Sequence, residues 1–342
     1  MKEARVLVVD DSAAMRALFS EILDKAKNVR VVGTAANARE ALEQIEALVP
    51  NVLTLDVEMP GMSGIELLHD IMENRPMPVV MLSSLTQSGT DISLMAYELG
   101  AVECFPKPLK ATPEQFAKTV GKLGKIVLAA ANSNVRERRP HHAEPRGHAG
   151  KFEWNGYIVA LSASMGGVEA LTALLAGWPA NCPPTLIVLQ TEPAVAQALV
   201  NRLDAELKCS VRIARDGDKL TQGHVFVAAD PEHHAVVESG PPHKVRLLER
   251  EPVEGFRPSA NLLFGSIARA SIPSVGVVLS GIGDDGAKGL RLMSDTGART
   301  FAQRRDCAVV PEAPSAAIAA NPEIRELGIT DLADAVLDAC SM

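Results

Sequence analysis

The sequence predicts two doubly wound, mainly parallel α/β domains joined by a flexible linker. Short apolar runs rich in β-branched residues alternate with amphipathic stretches of helical period, a pattern typical of parallel sheets covered by helices on both faces. Between residues 132 and 151 the chain has almost no apolar side chains, and such a stretch cannot bury enough surface to fold alone. We therefore expect a first domain at residues 1–130, a linker at 131–152 and a second domain at 153–342.

The composition restricts the function classes. A chain of 342 residues with 47% apolar and 22% charged residues can bury two cores of ordinary size. The net charge of -8 argues against nucleic acid as a partner. No run of about eighteen uncharged apolar residues is present, and the chain enters a predicted strand almost at once, so we expect a cytoplasmic protein without membrane insertion. The five cysteines form no CxxC pair, which makes them reduced thiols in this interpretation.

The first domain contains five predicted strand and helix units. The strands are expected at "RVLVVDD", "VRVVGTA", "NVLTLDV", "PVVMLSS" and "AVECFPK". The helices are expected at "SAAMRALFSEILDKA", "AREALEQIEAL", "GIELLHDIME", "DISLMAYELG" and "TPEQFAKTVGKLGKIVLAA". Five such units predict a doubly wound domain.

Polar residues end four of these strands. Asp10 and Asp11 follow the first strand, Asp56 the third, Ser83 the fourth and Lys107 the fifth. Because the carboxyl ends of parallel strands share one edge of the sheet, these side chains should meet there. Clustered carboxylates suit Mg²⁺, and a carboxylate beside the metal could attack a phosphoryl group while the lysine and the hydroxyl bind it. The alternative is that the acidic residues cap helices and face water.

The motifs "VLVVDDSAAMR", "LTLDVEMPGMSG" and "FPKP" resemble the receiver domain of bacterial response regulators. The resemblance covers residues 4 to about 128. It implies that Asp56 is phosphorylated, that a sensor histidine kinase is the phosphoryl donor, and that Ser83 and Lys107 take part in the switch. The Mg²⁺ ligands would be Asp10, Asp11 and Asp56.

The alternation resumes after the linker. Strands are predicted at "GYIVALSAS", "PTLIVLQ", "VRIAR", "HVFVAAD" and "SVGVVLSG", and a hairpin at "AVVESGPPHKVRLLE". Helices are predicted at "VEALTALLAG", "AVAQALVNRLDAEL", "NLLFGSIARA" and "AKGLRLMSDTG". We expect a second α/β domain with its ligand at the carboxyl ends of the strands.

Ser164 lies where a predicted strand turns into a helix. Main-chain N–H groups at a helix start can bind a phosphate or a developing oxyanion, so the arrangement is similar to a nucleophile elbow without the GxSxG spelling. Alternatively, Ser164 caps the helix. A second glycine-rich motif, "GIGDDG", matches the dinucleotide fingerprint, but Asp284 and Asp285 would point negative charge at a pyrophosphate. An acidic residue at a strand end suits the orientation of an imidazole in a triad better.

Together, "ALSASMGG", "GDDGAKGL" and "RPSANLLFGS" resemble the catalytic domain of CheB-type chemotaxis methylesterases. The order of receiver, linker and esterase domain is similar as well. The resemblance implies Ser164 as nucleophile, Asp285 as the orienting carboxylate and an oxyanion region around Met165 and Ile282, with no cofactor in this domain. The implied substrate is a methylated chemoreceptor, whose glutamate methyl esters are hydrolysed and particular glutamines deamidated.

The chain departs from this family at the base of the triad. In "VLQTEP", Thr191 stands in the position of the family histidine, and a threonine hydroxyl cannot accept a proton near neutral pH. Met165, Asn261 and the segment "CAVVPEAP" also differ from the family pattern. The histidines that could substitute as the base are His224, His233, His234 and His243. A separate cluster in the linker, His141, His142 and His148, could bind a metal, although solvated histidines are the alternative. Two hypotheses follow: a phosphorylation-controlled methylesterase with impaired activity, or an inactive signalling protein that binds a receptor or kinase.

Overall fold

The computed structural model describes residues 2–83, 87–107, 113–135 and 152–342, with only the backbone at 87–91 and 113–120. The chain divides into two compact units, Met1–Arg138 and Arg139–Met342. Within the described ranges, no helix is long and apolar enough to cross a membrane. The predicted linker histidines at 141, 142 and 148 lie outside the described residues.

The first unit is a doubly wound domain, as predicted. Its elements are β1 (Ala4–Val9), α1 (Ala13–Asp24), β2 (Val29–Ala35), α2 (Ala38–Leu48), β3 (Val52–Asp56), α3 (Gly64–Asn74), β4 (Val79–Ser83), α4 (Gln87–Glu98), β5 (Glu103–Pro106) and α5 (Pro113–Ala131). All strand pairs are parallel, in the order β2-β1-β3-β4-β5. The central strands β3 and β4 are buried along their whole length because helices cover both faces.

The helix starts of the first unit follow from local sequence. Ser12, Asn37 and Ser63 precede α1, α2 and α3, and each side chain accepts a hydrogen bond from a first-turn backbone N–H. At α3, Glu66 completes a capping box with Ser63. These caps fix where the polar loops after β1 and β3 end, and thus where Asp10 and Asp56 lie.

The second unit contains a larger parallel sheet. Its elements are β6 (Ile158–Ala163), α6 (Gly167–Leu175), β7 (Thr185–Leu189), α7 (Pro193–Glu206), β8 (Ser210–Ile213), β9 (His224–Ala228), β10 (His234–Glu238), β11 (Lys244–Leu248), α8 (Ala260–Arg269), β12 (Ser274–Val278), α9 (Ala287–Asp295), β13 (Arg299–Gln303), α10 (Glu312–Ala320), β14 (Arg325–Leu327) and α11 (Ile329–Ala339). Seven parallel strands take the order β14-β13-β12-β6-β7-β9-β8, and β10 and β11 form the predicted antiparallel hairpin.

Strand β6 lies at the point where the direction of winding reverses. It pairs with β7 on one side and with β12 on the other. Loops after the strands diverge at such a point and leave a crevice at the carboxyl ends. Ser164 follows β6 directly, so the topology places this residue in the crevice.

Two parts of the structure differ from the sequence prediction. Helix α4 begins at Gln87, earlier than the expected Asp91. The elements β13, α10, β14 and α11 follow Gly297, in a region for which the sequence pattern predicts no strand or helix. Strand β14 has only three residues and lies at the sheet edge, where alternation of apolar residues is too short to be recognised.

Candidate functional sites

The strand ends of the first unit bring the predicted acidic residues together. Carboxylate oxygens of Asp10, Asp11 and Asp56 all lie within 4.8 Å of one another. The Lys107 Nζ lies 2.8 Å from Asp10 Oδ2 and 2.7 Å from Asp56 Oδ2. Asp10 and Asp56 are buried, whereas Asp11 is exposed. The prediction that these four residues converge is therefore confirmed.

Burial and ion pairing shift the pKa values of the groups in this cluster in opposite directions. Burial raises the pKa of the Asp56 carboxyl, although its contacts with Lys107 limit the rise. For Lys107, burial favours the neutral amine, but hydrogen bonds to Asp10 and Asp56 prevail and raise its pKa. Lys107 therefore stays charged at neutral pH.

The donor set fits a hard divalent cation. One ammonium group faces two buried carboxylates, and Asp11 adds a third negative charge at the entrance. Negative charge that is buried without a counterion is costly, so a cation would stabilise the cluster. All three acidic ligands offer oxygen, which Mg²⁺ prefers. Bound Mg²⁺ would neutralise charge on an incoming phosphoryl group.

Ser83 ends β4 at the same edge of the sheet. Ser83 is 7% exposed, and its backbone carbonyl accepts a hydrogen bond of 2.9 Å from the backbone N–H of Lys107. This bond ties the end of β4 to the residue that contacts Asp56. The role of Ser83 in a switch remains a prediction.

In the second unit, the hydroxyl of Ser164 faces the loop after β12. The backbone N–H of Ile282 donates a hydrogen bond of 3.0 Å to Ser164 Oγ. The 281–283 loop approaches so closely that a Cβ on Gly281 would lie 2.5 Å from this oxygen. A side chain at position 281 would therefore force the Ser164 hydroxyl to move away from its present position beside the Ile282 N–H.

Ser164 does not cap helix α6, so the capping alternative is wrong. The N-cap of α6 is Gly166, which has a left-handed conformation with φ 72° and provides no side-chain cap. Met165 is buried, and its carbonyl accepts a 2.8 Å hydrogen bond from the Ser280 hydroxyl. The hydroxyl oxygen of Ser164 therefore faces the 281–283 loop and not the start of helix α6.

Asp285 is held by four hydrogen bonds. Its Oδ1 accepts from the Ser259 hydroxyl at 2.9 Å and from the Asn261 N–H at 3.0 Å. Its Oδ2 accepts from the Gln190 side-chain amide and from the Ala260 N–H, both at 2.7 Å. A carboxylate has about four lone-pair sites, so these four donors occupy it fully. Burial raises the pKa of Asp285, and the four donors limit that rise.

Position 191 provides no base. The Thr191 N–H donates to the Leu189 carbonyl at 3.2 Å, and helix α7 takes Glu192 as its N-cap, so Thr191 does not cap that helix. The neighbouring Gln190 supplies the side-chain contact to Asp285. The assignment of Ser164 and Asp285 to catalysis remains a prediction.

The histidines of the second unit have other partners. His224 contacts the Gln222 carbonyl, His233 pairs with Asp230, and His243 accepts from the Gly240 N–H. His234 is fully buried between the Ser259 N–H and the Glu251 carbonyl. Among the described hydrogen bonds, none joins an imidazole to Ser164 or Asp285.

Four contacts of this site are not predictable from the local sequence pattern, and they are made by Gln190, Ser259, Asn261 and Glu312. The side-chain oxygen of Asn261 accepts from the Gly286 and Gly289 N–H groups at 3.1 and 2.8 Å, and so caps helix α9. Glu312 accepts from the Gly283 N–H at 2.9 Å. Only Ser259 carried a recognisable pattern, a serine directly before an apolar helix.

Comparisons with known proteins identify the families to which the two units are similar. Residues 6–119 match the response regulator receiver domain family, and residues 159–336 match the CheB methylesterase family. A protein-glutamate methylesterase/protein-glutamine glutaminase of Agrobacterium fabrum is 42% identical, with 98% of this chain and 96% of that protein covered. One of Caulobacter vibrioides is 41% identical, with 100% and 99% covered.

A solved structure supports the fold of the second unit. The Thermotoga maritima CheB methylesterase catalytic domain is 24% identical with a TM-score of 0.51, and the match covers 54% of this chain and 98% of that domain. At this identity the likeness concerns the fold alone.

Proposed function

Because the chain belongs to the CheB methylesterase family with an amino-terminal response regulator receiver domain, we propose that it is a phosphorylation-controlled regulator of chemoreceptors whose esterase turnover is strongly impaired. Its second domain would bind methylated glutamates of a chemoreceptor at Ser164. The observation that carries this proposal is the set of partners of Ser164 and Asp285, which contains no imidazole among the described residues.

Acyl transfer at Ser164 requires a proton acceptor. Attack of Oγ on the ester carbonyl forms a C–O bond and moves the carbonyl electron pair onto oxygen, while the hydroxyl proton must leave. The Ile282 N–H, which donates to Ser164 Oγ, would stabilise negative charge that develops beside this oxygen. Thr191 cannot take the proton, and loss of the histidine in a comparable serine hydrolase lowers turnover by about a million-fold.

A site without its base retains other properties. Binding and oxyanion stabilisation alone leave roughly 10³ to 10⁴-fold catalysis over water in a comparable enzyme. Such a site still binds its substrate but hydrolyses it very slowly. This supports a signalling role in which the second domain occupies receptor glutamates.

The receiver site supports control by a sensor histidine kinase. An Asp56 oxygen would attack the phosphorus of a phosphohistidine, so that a P–O bond forms and the P–N bond to the imidazole breaks. Lys107 lies within 2.7 Å of Asp56 Oδ2 and would pair with the transferred phosphoryl group. Asp10, Asp11 and Asp56 would hold Mg²⁺ beside it.

Methanol release from methylated receptor membranes tests the proposal directly. The full chain would be incubated with a phosphoryl donor, Mg²⁺ and membranes, and compared with its Ser164→Ala variant. We expect methanol release close to that of the variant, together with co-sedimentation of both proteins with methylated membranes. Turnover within tenfold of a family member that has a histidine at this position would refute the impairment.

A further inference from the structure

The carboxylate of Glu312 binds the 281–283 loop, and the same loop contacts Ser164. The loop is held to residues 310–313 by three hydrogen bonds. Gly281 N–H donates to the Val310 carbonyl at 3.0 Å, and the Ala313 N–H donates to the Gly281 carbonyl at 3.0 Å. The third bond joins the Gly283 N–H to Glu312 Oε2 at 2.9 Å, and it alone uses a side chain.

The amides of Ile282 and Gly283 are consecutive in the chain. Gly283 has a left-handed conformation with φ 80°, and successive N–H groups around such a residue form a concave surface for anions. The Ile282 N–H faces Ser164 Oγ, while the Gly283 N–H is taken by Glu312. An anion that forms at Ser164 would therefore share this small surface with a fixed carboxylate.

We propose that the negative charge of Glu312 disfavours negative charge at Ser164 and is a second determinant, independent of Thr191, of a low acyl-transfer rate. The inference rests on the proposed function, in which Ser164 and Ile282 form the acyl-transfer site. Oxyanion stabilisation depends on dipoles and charges fixed around the reacting oxygen, and a like charge one peptide unit away weakens it. Glu312 is half-buried, and within the described part of the chain no cation forms an ion pair with it.

Hydrolysis of p-nitrophenyl acetate by the full chain tests this charge effect without a receptor. Water and the ester give acetate and p-nitrophenol, and the activated leaving group makes the slow residual reaction measurable. The Ser164-dependent rate is obtained by subtracting the rate of Ser164→Ala. Glu312→Gln keeps an oxygen that can accept from Gly283 but removes the charge, so we expect the Ser164-dependent kcat/KM to rise at least about threefold.

Two further variants separate charge from other effects. Glu323→Gln removes an exposed charge just after α10 and should leave the rate unchanged. Glu312→Ala removes the charge together with the side-chain bond that holds the loop at Gly283, so the Ile282 N–H is less well fixed and the gain should be smaller than that of Glu312→Gln. The inference would be overturned if Glu312→Gln hydrolysed the ester no faster than the parent. It would also be overturned if neither the parent nor Glu312→Gln exceeded the rate of Ser164→Ala. High methanol release from receptor membranes would contradict the proposed function instead, so the two failures are distinct.

Discussion

At the scale of single residues, the second domain places the Ser164 hydroxyl beside the Ile282 N–H, and position 191 holds a threonine, whose hydroxyl cannot accept a proton near neutral pH. The substitution Thr191→His should restore an acceptor next to Gln190. General base catalysis contributes about 10² to 10⁴-fold, so we expect at least a hundredfold gain in Ser164-dependent hydrolysis of p-nitrophenyl acetate. The new imidazole must displace the Gln190 amide from Asp285, because that carboxylate is already fully bonded.

Controls for this gain are available in the same chain. Thr191→Ala should give no increase, and addition of Ser164→Ala to Thr191→His should abolish it. A gain below about tenfold would mean that differences elsewhere in the pocket, beyond position 191, prevent catalysis.

Asp285 also has a structural role that can be measured separately. Asp285→Asn would replace one of the two carboxylate oxygens with an NH₂ group, so the backbone N–H of either Ala260 or Asn261 would lose its acceptor and face another donor. We expect a loss of about 3 kcal/mol in the free energy of unfolding of the second domain. Both tryptophans, Trp154 and Trp178, lie in the second unit, so their fluorescence during denaturant unfolding reports on this domain.

The raised pKa of Asp285 predicts the sign of a pH effect. A carboxyl whose pKa is higher in the folded state than in the unfolded state stabilises the fold most below its unfolded pKa. That contribution is lost as pH rises from the ordinary value of 3.8 through the raised one. The stability advantage of the parent over Asp285→Asn should therefore shrink from pH 4 to pH 7 in the same fluorescence assay. An advantage that grows over this range would contradict the pKa direction.

The sequence could predict Ser164 and Asp56 but not their surroundings. Each of these residues ends a strand, and the apolar run before it is visible in the sequence. Gln190 and Asp285 are separated by 95 residues, and Glu312 lies 29 residues from Gly283. Such contacts depend on how distant loops approach in three dimensions, which no local period or cap records.

At the scale of elements, helices α8 and α9 cap each other. The carboxylate of Asp285, just before α9, accepts from N–H groups of the first turn of α8. Asn261, in that same turn, accepts from the Gly286 and Gly289 N–H groups at the start of α9. Each helix thus satisfies backbone donors of the other, which fixes the position of Asp285 near the strand ends.

Asn261→Ala should break one half of this arrangement. Loss of an N-cap acceptor costs about 1 to 2 kcal/mol, and we expect a decrease of that size in the tryptophan-monitored unfolding free energy. Asn201→Ala removes an exposed asparagine in α7 and serves as the matched control, with no comparable loss. Equal effects of the two substitutions would show that the capping contact adds no stability.

The order of elements could be predicted where strands are buried on both faces, as in β3, β4 and β12, because such strands form continuous apolar runs. The region after Gly297 could not. Helix α10 consists largely of alanine and has only a weak apolar face, and β13 begins with polar residues. The helices and strands of the region after Gly297 are stabilised by packing against the core more than by an apolar pattern in their own sequence.

At the scale of the whole molecule, two α/β units each place polar residues where the winding of a sheet reverses. In the first unit β1 lies between β2 and β3, and in the second β6 lies between β12 and β7. Asp10 follows β1 and Ser164 follows β6, so the two sites occupy equivalent places in their sheets. The cluster in the first unit contains three carboxylates and a lysine, whereas in the second unit no imidazole among the described residues is hydrogen-bonded to Ser164 or Asp285.

If phosphorylation controls the chain, the intact receiver site must accept a phosphoryl group in the full-length protein. Incubation with acetyl phosphate and Mg²⁺ should add one phosphate per chain, detected by intact-protein mass spectrometry, and chelation of the metal should prevent it. Asp56→Asn should remove this uptake, while Asp70→Asn, at a half-buried position of α3 outside the acidic cluster, should not. Uptake by Asp56→Asn equal to that of the parent would disprove the assigned acceptor.

Metal binding provides an independent measurement, because it does not require a phosphoryl donor. Mg²⁺ at 100 times its Kd should stabilise the receiver domain by about 2.7 kcal/mol, visible as a raised calorimetric transition. Asp10→Asn would remove one buried carboxylate oxygen that faces Lys107, and the remaining cluster would attract a cation less strongly. We therefore expect the Mg²⁺-dependent shift to fall sharply in this variant. A shift unchanged from the parent would place the metal elsewhere and leave Asp56 without the charge neutralisation that phosphoryl transfer requires.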